Sequence, residues 1–198
     1  SWEAVRDLVA SGRIGRVRAV QSWFSYFNDD PGNIRNVPEL GGGALYDIGC
    51  YCINLSRMLF VGEPTGIEAS VTRDATGTDV LTSAILAFDD DVAVFTCSTR
   101  AEPDQRVHIY GTEGRISIGI PFNIPPDRPA EITVTAGGDP PVSPASETLT
   151  FAAADEYTIQ AEGFASAVLD GGPLPIPPED AIGNLRVIDA IFRAGDPG

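Results

Sequence analysis

The stretch GGGALYDIGCYCINLSRML, residues 41–59, organises the chain, because a glycine triplet leads into a helical pattern with two distinct faces. At about 100° per residue, one face is apolar and is predicted to pack on the core; it holds Leu45, Ile48, Cys52, Leu55 and Leu59. A polar face lies about a quarter turn away and holds Asp47, Tyr51, Asn54 and Met58. The carboxylate of Asp47 and the phenol of Tyr51, four residues apart, are predicted to point the same way. This pair is the candidate site.

Size and charge restrict the class of protein. A chain of 198 residues with 43% hydrophobic residues can bury a core, and we expect one domain over residues 1–198. No run of eighteen apolar residues is present, so the sequence predicts no membrane span. A net charge of −15 argues against binding of nucleic acid. All 13 basic residues are arginines, so no lysine amine of this chain can act in catalysis.

The beginning of the sequence and its cysteines lead to two further expectations. The chain opens on a helical pattern without an initiator methionine, which indicates a piece of a longer protein. Cys50, Cys52 and Cys97 are odd in number and have no metal-ligand spacing, and His108 lies in a strand pattern. We therefore predict no metal site, free buried thiols and a reducing compartment, the cytoplasm.

The pattern of apolar residues predicts an α+β fold. Eight β-type runs separated by turn residues span 16–28, 65–73, 79–88, 92–100, 105–110, 114–120, 130–136 and 147–151. Most follow one another without helices between them, so the sheet is expected to be large and mainly antiparallel, with helices on one face and the other face free for oligomerisation. Two segments rich in proline and glycine, 121–129 and 137–144, are predicted surface loops.

Three further helices are predicted from apolar stripes. The first carries Trp2, Val5, Leu8 and Val9. The two closing helices carry Tyr157, Ala161, Phe164 and Val168, and then Ala181, Leu185, Ile188 and Phe192. Pro178 is expected to begin the last helix. Each stripe is expected to face the core.

The chemistry of the central helix depends on a cation. A tyrosine that exchanges protons near neutral pH needs a cation or strong hydrogen bonds to lower its pKa from about 10. Asp47 acts in the opposite direction, so we assign it the orientation of a substrate hydroxyl or the binding of a cation. The cation must come from Arg35, just before the triplet, or from outside this chain.

The glycine triplet is a weaker signal. Gly42 and Gly43 leave the backbone open to a ligand, and a helix start offers free N–H groups, so both are cofactor-binding candidates. Position 46 is a tyrosine and no strand comes immediately before the triplet, so the pattern is not a dinucleotide-binding fingerprint.

Packing offers an ordinary interpretation of the same residues. The helix macrodipole alone favours Asp47 in a first helical turn, and Tyr51 beside a core stripe can be a packing residue. Arg35 can equally be a solvated loop arginine. Spacing alone does not separate these interpretations from the catalytic one.

The run GGGALYDIGCY resembles the GGGxLxDxGxH signature of the Gfo/Idh/MocA family of NAD(P)-dependent oxidoreductases. The order of the elements and the run PPEDAIGNLRVIDAIFRA agree with this resemblance, which covers essentially the whole chain as the family's second domain. Tyr51 stands where many members have a catalytic histidine, a substitution found in one branch of the family.

The resemblance implies an activity that this chain shares with a missing part. Tyr51 would be the proton donor or acceptor, Asp47 its companion, and Arg35, Asn54 and Tyr157 substrate-binding residues. The cofactor would be NAD or NADP, bound mainly by an N-terminal Rossmann domain that also supplies a lysine and is absent from residues 1–198. The substrate would be a sugar or a similar polyol or cyclic diol, the assembly a dimer or tetramer through the sheet, and the isolated chain inactive.

Two functions of other classes use the same features. One is a non-catalytic oligomerisation or ligand-sensing module with the same fold. The other is a stand-alone sugar-binding domain, which would bind carbohydrate without a nucleotide.

Overall fold

A computed structural model of the protein describes residues 1–137 and 145–195. Its helices are α1 (Trp2–Ala10), α2 (Cys50–Phe60), α3 (Glu156–Asp170) and α4 (Pro178–Gly195). Its strands are β1 (Val17–Phe27), β2 (Gly66–Arg73), β3 (Asp79–Phe88), β4 (Asp91–Ser98), β5 (Arg100–Gly111), β6 (Gly114–Ile118), β7 (Ala130–Ala136) and β8 (Ser146–Phe151).

The described strands form one eight-stranded sheet in the order β2-β3-β4-β1-β5-β6-β7-β8. Only the pairing of β1 with β4 is parallel, and the other pairings are antiparallel. The parallel pair arises because the chain leaves β1, crosses over through α2, and adds β2, β3 and β4 on one side before β5 pairs on the other side of β1. The predicted α+β class and mainly antiparallel sheet are confirmed.

The predicted strands form close to their expected bounds, with one clear difference. The runs 79–88 and 130–136 match β3 and β7, whereas β5 begins five residues before the predicted start at residue 105. Pro103 argues against a strand there. Pairing with the long β1 nevertheless extends β5, and the ladder is irregular where Ser25 and Phe27 find their partners. Of the predicted loop at 137–144, residues 138–144 lie outside the described residues.

The core lies between one face of the sheet and helices α1, α2 and α4. Its largest fully buried side chains include Phe95, Ile14, Leu45, Ile53, Leu86, Ile109, Ile116, Ile132, Ile188 and Ile191. The opposite face carries half-exposed apolar side chains, among them Leu81, Ile85, Val94 and Tyr110. These residues alternate with buried neighbours along their strands, as the period of two requires.

The central helix does not run regularly from the glycine triplet. Leu45–Gly49 forms a turn of π-helix, and the α-helix begins at Cys50. Gly49 packs closely on the sheet here, since a Cβ atom at this position would lie 2.9 Å from Cys97 Sγ. All five residues of the predicted apolar face are nevertheless buried. The π-helical turn therefore leaves the predicted apolar face buried, but it changes the angles around the helix axis between the residues on its other faces.

The stripes of the two closing helices correct the prediction. No residue of α3 is buried, so the stripe with Tyr157, Phe164 and Val168 does not face the core. Helix α4 begins at Pro178 as predicted, but its buried residues are Gly183, Val187, Ile188 and Ile191. Ile188 alone belongs to the predicted stripe and Leu185 is exposed, because α4 turns a neighbouring face toward β2 and α2.

Candidate active site

Asp47 is held by two donors at one end of the sheet. Its Oδ2 accepts a hydrogen bond of 2.6 Å from the Tyr26 hydroxyl, and its Oδ1 accepts one of 2.8 Å from Arg35 Nε. The Asp47 side chain is 23% exposed and that of Arg35 is 47% exposed. Asp47 is therefore the partner of a cation, one of the two roles expected for it.

Tyr51 forms part of a separate cavity of about 300 Å³. Its ring contacts the rings of Phe24 and Phe122, with centroids 5.8 and 5.6 Å away, and the residue is 42% exposed. The cavity is lined by Trp2, Tyr51, Asn54, Leu55, Met58, Pro121, Phe122, Glu156 and Ile176. Apolar walls with a few polar groups are typical of sites for small organic molecules.

Strand β1 places the two site residues side by side. Phe24 contacts Tyr51 and Tyr26 bonds Asp47, and these two β1 residues share the covered face of the sheet. Two residues along a strand are about 7 Å apart. Asp47 and Tyr51 are thus neighbours that face different partners, since the π turn directs the carboxylate to Arg35 and the phenol to the cavity.

A buried aspartate fixes the start of the turn that carries Asp47. Asp79, the first residue of β3, is 1% exposed, and its Oδ2 accepts hydrogen bonds from Leu45 N at 2.8 Å and from Thr82 Oγ1 at 3.2 Å. Gly43 has a φ of +130°, and a Cβ atom there would lie 1.9 Å from Asp79 Oδ1. Residue 43 must therefore be glycine because of its positive φ and its close contact with Asp79, independently of any ligand.

The backbone N–H groups of Gly42 and Gly43, the two cofactor-binding candidates, are both bonded within the protein. Gly42 N donates to Val37 O at 3.0 Å, and Gly43 N donates to Arg35 O at 2.9 Å. A Cβ atom on Gly42 would also lie 2.7 Å from the Arg35 carbonyl oxygen. Neither glycine therefore has a free backbone N–H group with which to fill the cofactor-binding role predicted for it.

Arg100 secures the loop that presents Arg35. Its Nη1 donates to the carbonyl oxygen of Asn28 and, at 3.1 Å, to Asn36 Oδ1. Asn36, which is buried, donates to Asn28 Oδ1 and Asp30 O. These hydrogen bonds fix the loop at Asn28, before Arg35, and at Asn36, after it, which limits the positions that the Arg35 guanidinium can adopt.

Asn54 and Tyr157 occupy different positions around the Tyr51 cavity. Asn54 lines it, but its Nδ2 donates to Asp180 Oδ2 at 2.8 Å, which ties α2 to α4. Tyr157 lies on α3, is 68% exposed, and contributes to the raised pKa of Tyr51. The structure thus brings Tyr51 and Asn54 to one cavity, sets Arg35 with Asp47 beside it, and leaves Tyr157 at its outer edge.

The surroundings keep the Tyr51 phenol protonated at neutral pH. Burial is the main cause that raises its pKa above the ordinary 10.0, and the carboxylates of Asp47 and Glu156 act in the same direction. The pKa of Tyr26 is also raised, first by burial and then by its hydrogen bond to Asp47. Arg35 also interacts with Tyr51, but its main partner is Asp47, and the pKa of Tyr51 stays raised.

Sequence reasoning missed three residues of this region. Tyr26 could have been found, since the period of two in β1 puts it on the same face as Val20 and Phe24. Asp79 is distant in sequence and carries no motif. Phe122 lies in a proline-rich loop whose path over Tyr51 no local pattern indicates.

The cysteines and His108 contribute no cluster to the site. Cys50, Cys52 and Cys97 are free, with Cys52 and Cys97 buried. His108 is half-buried and its Nδ1 lies 3.0 Å from Ser117 Oγ. Within residues 1–137 and 145–195, no three His, Cys, Asp or Glu side chains are grouped to hold a metal ion. In those same ranges, no helix has the length and apolarity to cross a membrane.

Comparison with known proteins identifies the family. Residues 2–117 match the model of the GFO/IDH/MocA C-terminal domain, and the chain belongs to this family. It is similar to the uncharacterized oxidoreductase ORF334 of Rhizobium meliloti, with 42% identity over 199 residues, 100% of this chain and 59% of the relative. It is also similar to D-xylose 1-dehydrogenase (NADP(+)) 2 of Haloferax volcanii, with 34% identity, 99% of this chain and 59% of the relative. The chain thus spans 59% of the length of both relatives.

Solved structures share the fold. The aldose-aldose oxidoreductase of Caulobacter crescentus complexed with glycerol has a TM-score of 0.81 and 25% identity, covering 96% of this chain and 56% of that one. KijD10, a 3-ketoreductase of Actinomadura kijaniata solved with NADP and TDP-benzene, has a TM-score of 0.83 and 24% identity, covering 98% and 58%. The second likeness concerns the fold alone.

Proposed function

We propose that this chain is the substrate-binding domain of an NAD(P)-dependent oxidoreductase that acts on the CH–OH group of a sugar or a similar polyol or cyclic diol. The observation that carries the proposal is the half-exposed phenol of Tyr51, at an apolar cavity, in a chain of the GFO/IDH/MocA family. The names of two relatives support the substrate class: D-xylose 1-dehydrogenase, and human trans-1,2-dihydrobenzene-1,2-diol dehydrogenase, 31% identical over 123 residues, 59% of this chain and 35% of the relative.

The residues of this chain hold the substrate and move its proton. Tyr51, protonated at neutral pH, donates a proton to a substrate oxygen and takes it back in the reverse direction. Arg35 uses only Nε on Asp47, so its outer nitrogens can donate to substrate hydroxyls, while Asp47 accepts from them. Asn54 lines the same cavity, and Tyr157 stands at its edge as a substrate contact.

The cofactor comes from outside this chain in our proposal. Bound NAD or NADP would supply or accept a hydride at the substrate carbon. The cavity beside Tyr51 offers apolar walls that suit a nicotinamide ring. The neighbouring ion pair of Arg35 and Asp47 offers hydrogen-bonding groups that suit the hydroxyls of a polyol. A preceding nucleotide-binding domain would bind most of the cofactor and provide the lysine that lowers the pKa of Tyr51, since this chain has none.

The test of the catalytic role compares two tyrosines in the longer polypeptide, with the nucleotide-binding domain before residue 1. Tyr51→Phe is expected to lower kcat with a xylose-like substrate by at least about 10²-fold, the effect of a lost general acid. Tyr46→Phe is the matched control, because Tyr46 is 39% exposed and packs on Phe192 away from the cavity. Equal kinetics of the two variants would reduce Tyr51 to a packing residue.

The isolated chain offers a second test, of the proposal that a separate domain binds the cofactor. Residues 1–198 alone are expected to be inactive and to bind NAD(P) without ordinary affinity. Titration calorimetry with NADP measures this directly. Tight binding would contradict the assignment of the cofactor to a separate domain.

We also propose a homo-oligomer, a dimer or tetramer, formed through the open face of the sheet. Leu81, Ile85, Val94 and Tyr110 lie on that face with 38–43% exposure each, and an exposed apolar surface of this kind favours association. The three free thiols favour a reducing location, the cytoplasm. Sedimentation of the chain and of Ile85→Asp tests the interface.

One observation favours a non-catalytic ligand-sensing or assembly module as the second candidate. Among the described residues, the cation Arg35 is bonded to Asp47, and the pKa of Tyr51 is raised, mainly by burial. A phenol without an activating cation suits binding better than proton transfer. This module would retain ligand affinity and show no turnover in the longer polypeptide, with or without Tyr51→Phe.

A further inference from the structure

Helix α3 carries an apolar surface that the described part of the chain leaves uncovered. Its stripe, defined as Tyr157, Ala161, Phe164 and Val168, falls within about 60° of the helix circumference at 100° per residue. The three larger side chains are 59–68% exposed, and no residue of α3 is buried. A helix gains most of its stability from packing an amphipathic face, and exposed apolar patches mark interaction sites.

The stripe is continuous with the candidate site. Glu156, the first residue of α3, and Ile176, which follows the helix, both line the cavity of Tyr51. Tyr157 begins the stripe and follows Glu156 directly in the first turn of the helix. Over 15 residues the helix extends about 22 Å from this edge. A domain or subunit that covers the mouth of the cavity therefore contacts the first turn of α3.

We propose that the α3 stripe is the docking surface for the nucleotide-binding domain, an inference that rests on the proposed function. Chemistry at Tyr51 requires a nicotinamide over its cavity, so the domain that carries the nucleotide must lie against this side of the molecule. The described residues provide one mainly antiparallel sheet, and the relatives are longer than this chain, which covers 59% of them. A second copy of the chain has the open sheet face available instead.

The test measures amide hydrogen exchange in α3, which does not depend on turnover. In the longer polypeptide, exchange of the α3 amides is expected to be at least about tenfold slower than in residues 1–198 alone. The double variant Phe164→Asp with Val168→Asp is expected to abolish this slowing. Leu169→Asp is the matched control, since Leu169 is 82% exposed on the same helix, outside the stripe, and is expected to keep it.

Three outcomes would overturn the docking proposal: equal exchange in the two wild-type polypeptides, loss of the slowing in Leu169→Asp as well, or slowing in residues 1–198 that grows with protein concentration. The last would identify a second copy as the occupant. If the double variant fails to fold, the comparison of the two wild-type polypeptides still decides. Tyr51→Phe is expected to keep the slow exchange, so a failed catalytic proposal is distinguishable from a failed docking proposal.

Discussion

Helices α2 and α3 carry apolar stripes of similar regularity, yet only one of them is buried. The five apolar residues of the α2 region, which includes the π turn before it, are at most 7% exposed. The stripe of α3 is exposed along its whole length. A helical period therefore identifies which residues share a face, and the presence of a partner surface decides whether that face is buried.

The two regions differ in what attaches them to the sheet. The segment before α2 is bonded to β3 through Asp79, and Asn54 and Arg57 of α2 bond Asp180 at the start of α4. Helix α3 has an N-cap, Asp155, whose carboxylate accepts from Tyr157 N and Thr158 N, but this bond lies within its own first turn. Substitutions in the two regions should accordingly have very different effects.

The largest effect is expected from the core face of the α2 region. Leu45→Ala removes a fully buried side chain and is expected to lower the free energy of unfolding by about 2–5 kcal/mol. Chemical denaturation measures the loss. Leu40→Ala is the control, because Leu40 is 65% exposed and its loss should cost no more than about 0.5 kcal/mol. Similar losses in both variants would contradict the burial described for Leu45.

A smaller loss is expected from Asp79→Ala. The substitution leaves the buried Leu45 N–H without its acceptor, and an unpaired buried donor costs about 1–3 kcal/mol. Asp127→Ala, which removes a 73% exposed carboxylate, should have almost no effect on the unfolding midpoint. An Asp79→Ala variant as stable as the control would show that Asp79 does not secure the start of the site turn.

Asp79 also predicts a dependence of stability on pH. Burial raises the pKa of this carboxyl above its ordinary 3.8, outweighing the hydrogen bonds from Leu45 and Thr82 that lower it. The folded chain then binds more protons than the unfolded chain between the two pKa values, so the free energy of unfolding falls as pH rises through that window, by at most about 1.4 kcal/mol per pH unit.

Urea denaturation from pH 3.5 upward, on the wild type and on Asp79→Asn, isolates this contribution. The stability of the wild type relative to the variant should decline with rising pH, beginning near 3.8, and then become constant. A relative stability that increases with pH would mean that hydrogen bonding outweighs burial at Asp79.

The smallest effect is expected on α3. Phe164→Ala in residues 1–198 should change the free energy of unfolding by no more than about 0.5 kcal/mol, because the side chain is 59% exposed. The same denaturation experiment used for Leu45→Ala gives the comparison. A loss of 2 kcal/mol or more would mean that α3 is covered within this chain, and the contrast between the two helices would disappear.

Local patterns predicted most of the secondary structure and only part of the site. Alternation placed β3 and β7 within their observed bounds, because turn residues end these strands where the ladders also end. The position of Arg35 near the helix start followed from the sequence, whereas Asp47 and Tyr51, expected to point the same way, are directed to Arg35 and to the cavity respectively. Three features could not be predicted from local patterns, because each depends on a residue far away in sequence. They are the π turn, the hydrogen bond from Tyr26 to Asp47 and the hydrogen bond from Asn54 to Asp180.

The sequence by itself determined the α+β class, the apolar face of the central helix and the family, because these follow from periodicity and from a motif of adjacent residues. Only the tertiary structure decided which donors hold Asp47, why residue 43 must be glycine, and which apolar stripe is left without a partner. Hydrogen bonds and packing contacts join residues tens of positions apart. Their geometry is set when the sheet brings β1 and β3 against the central helix.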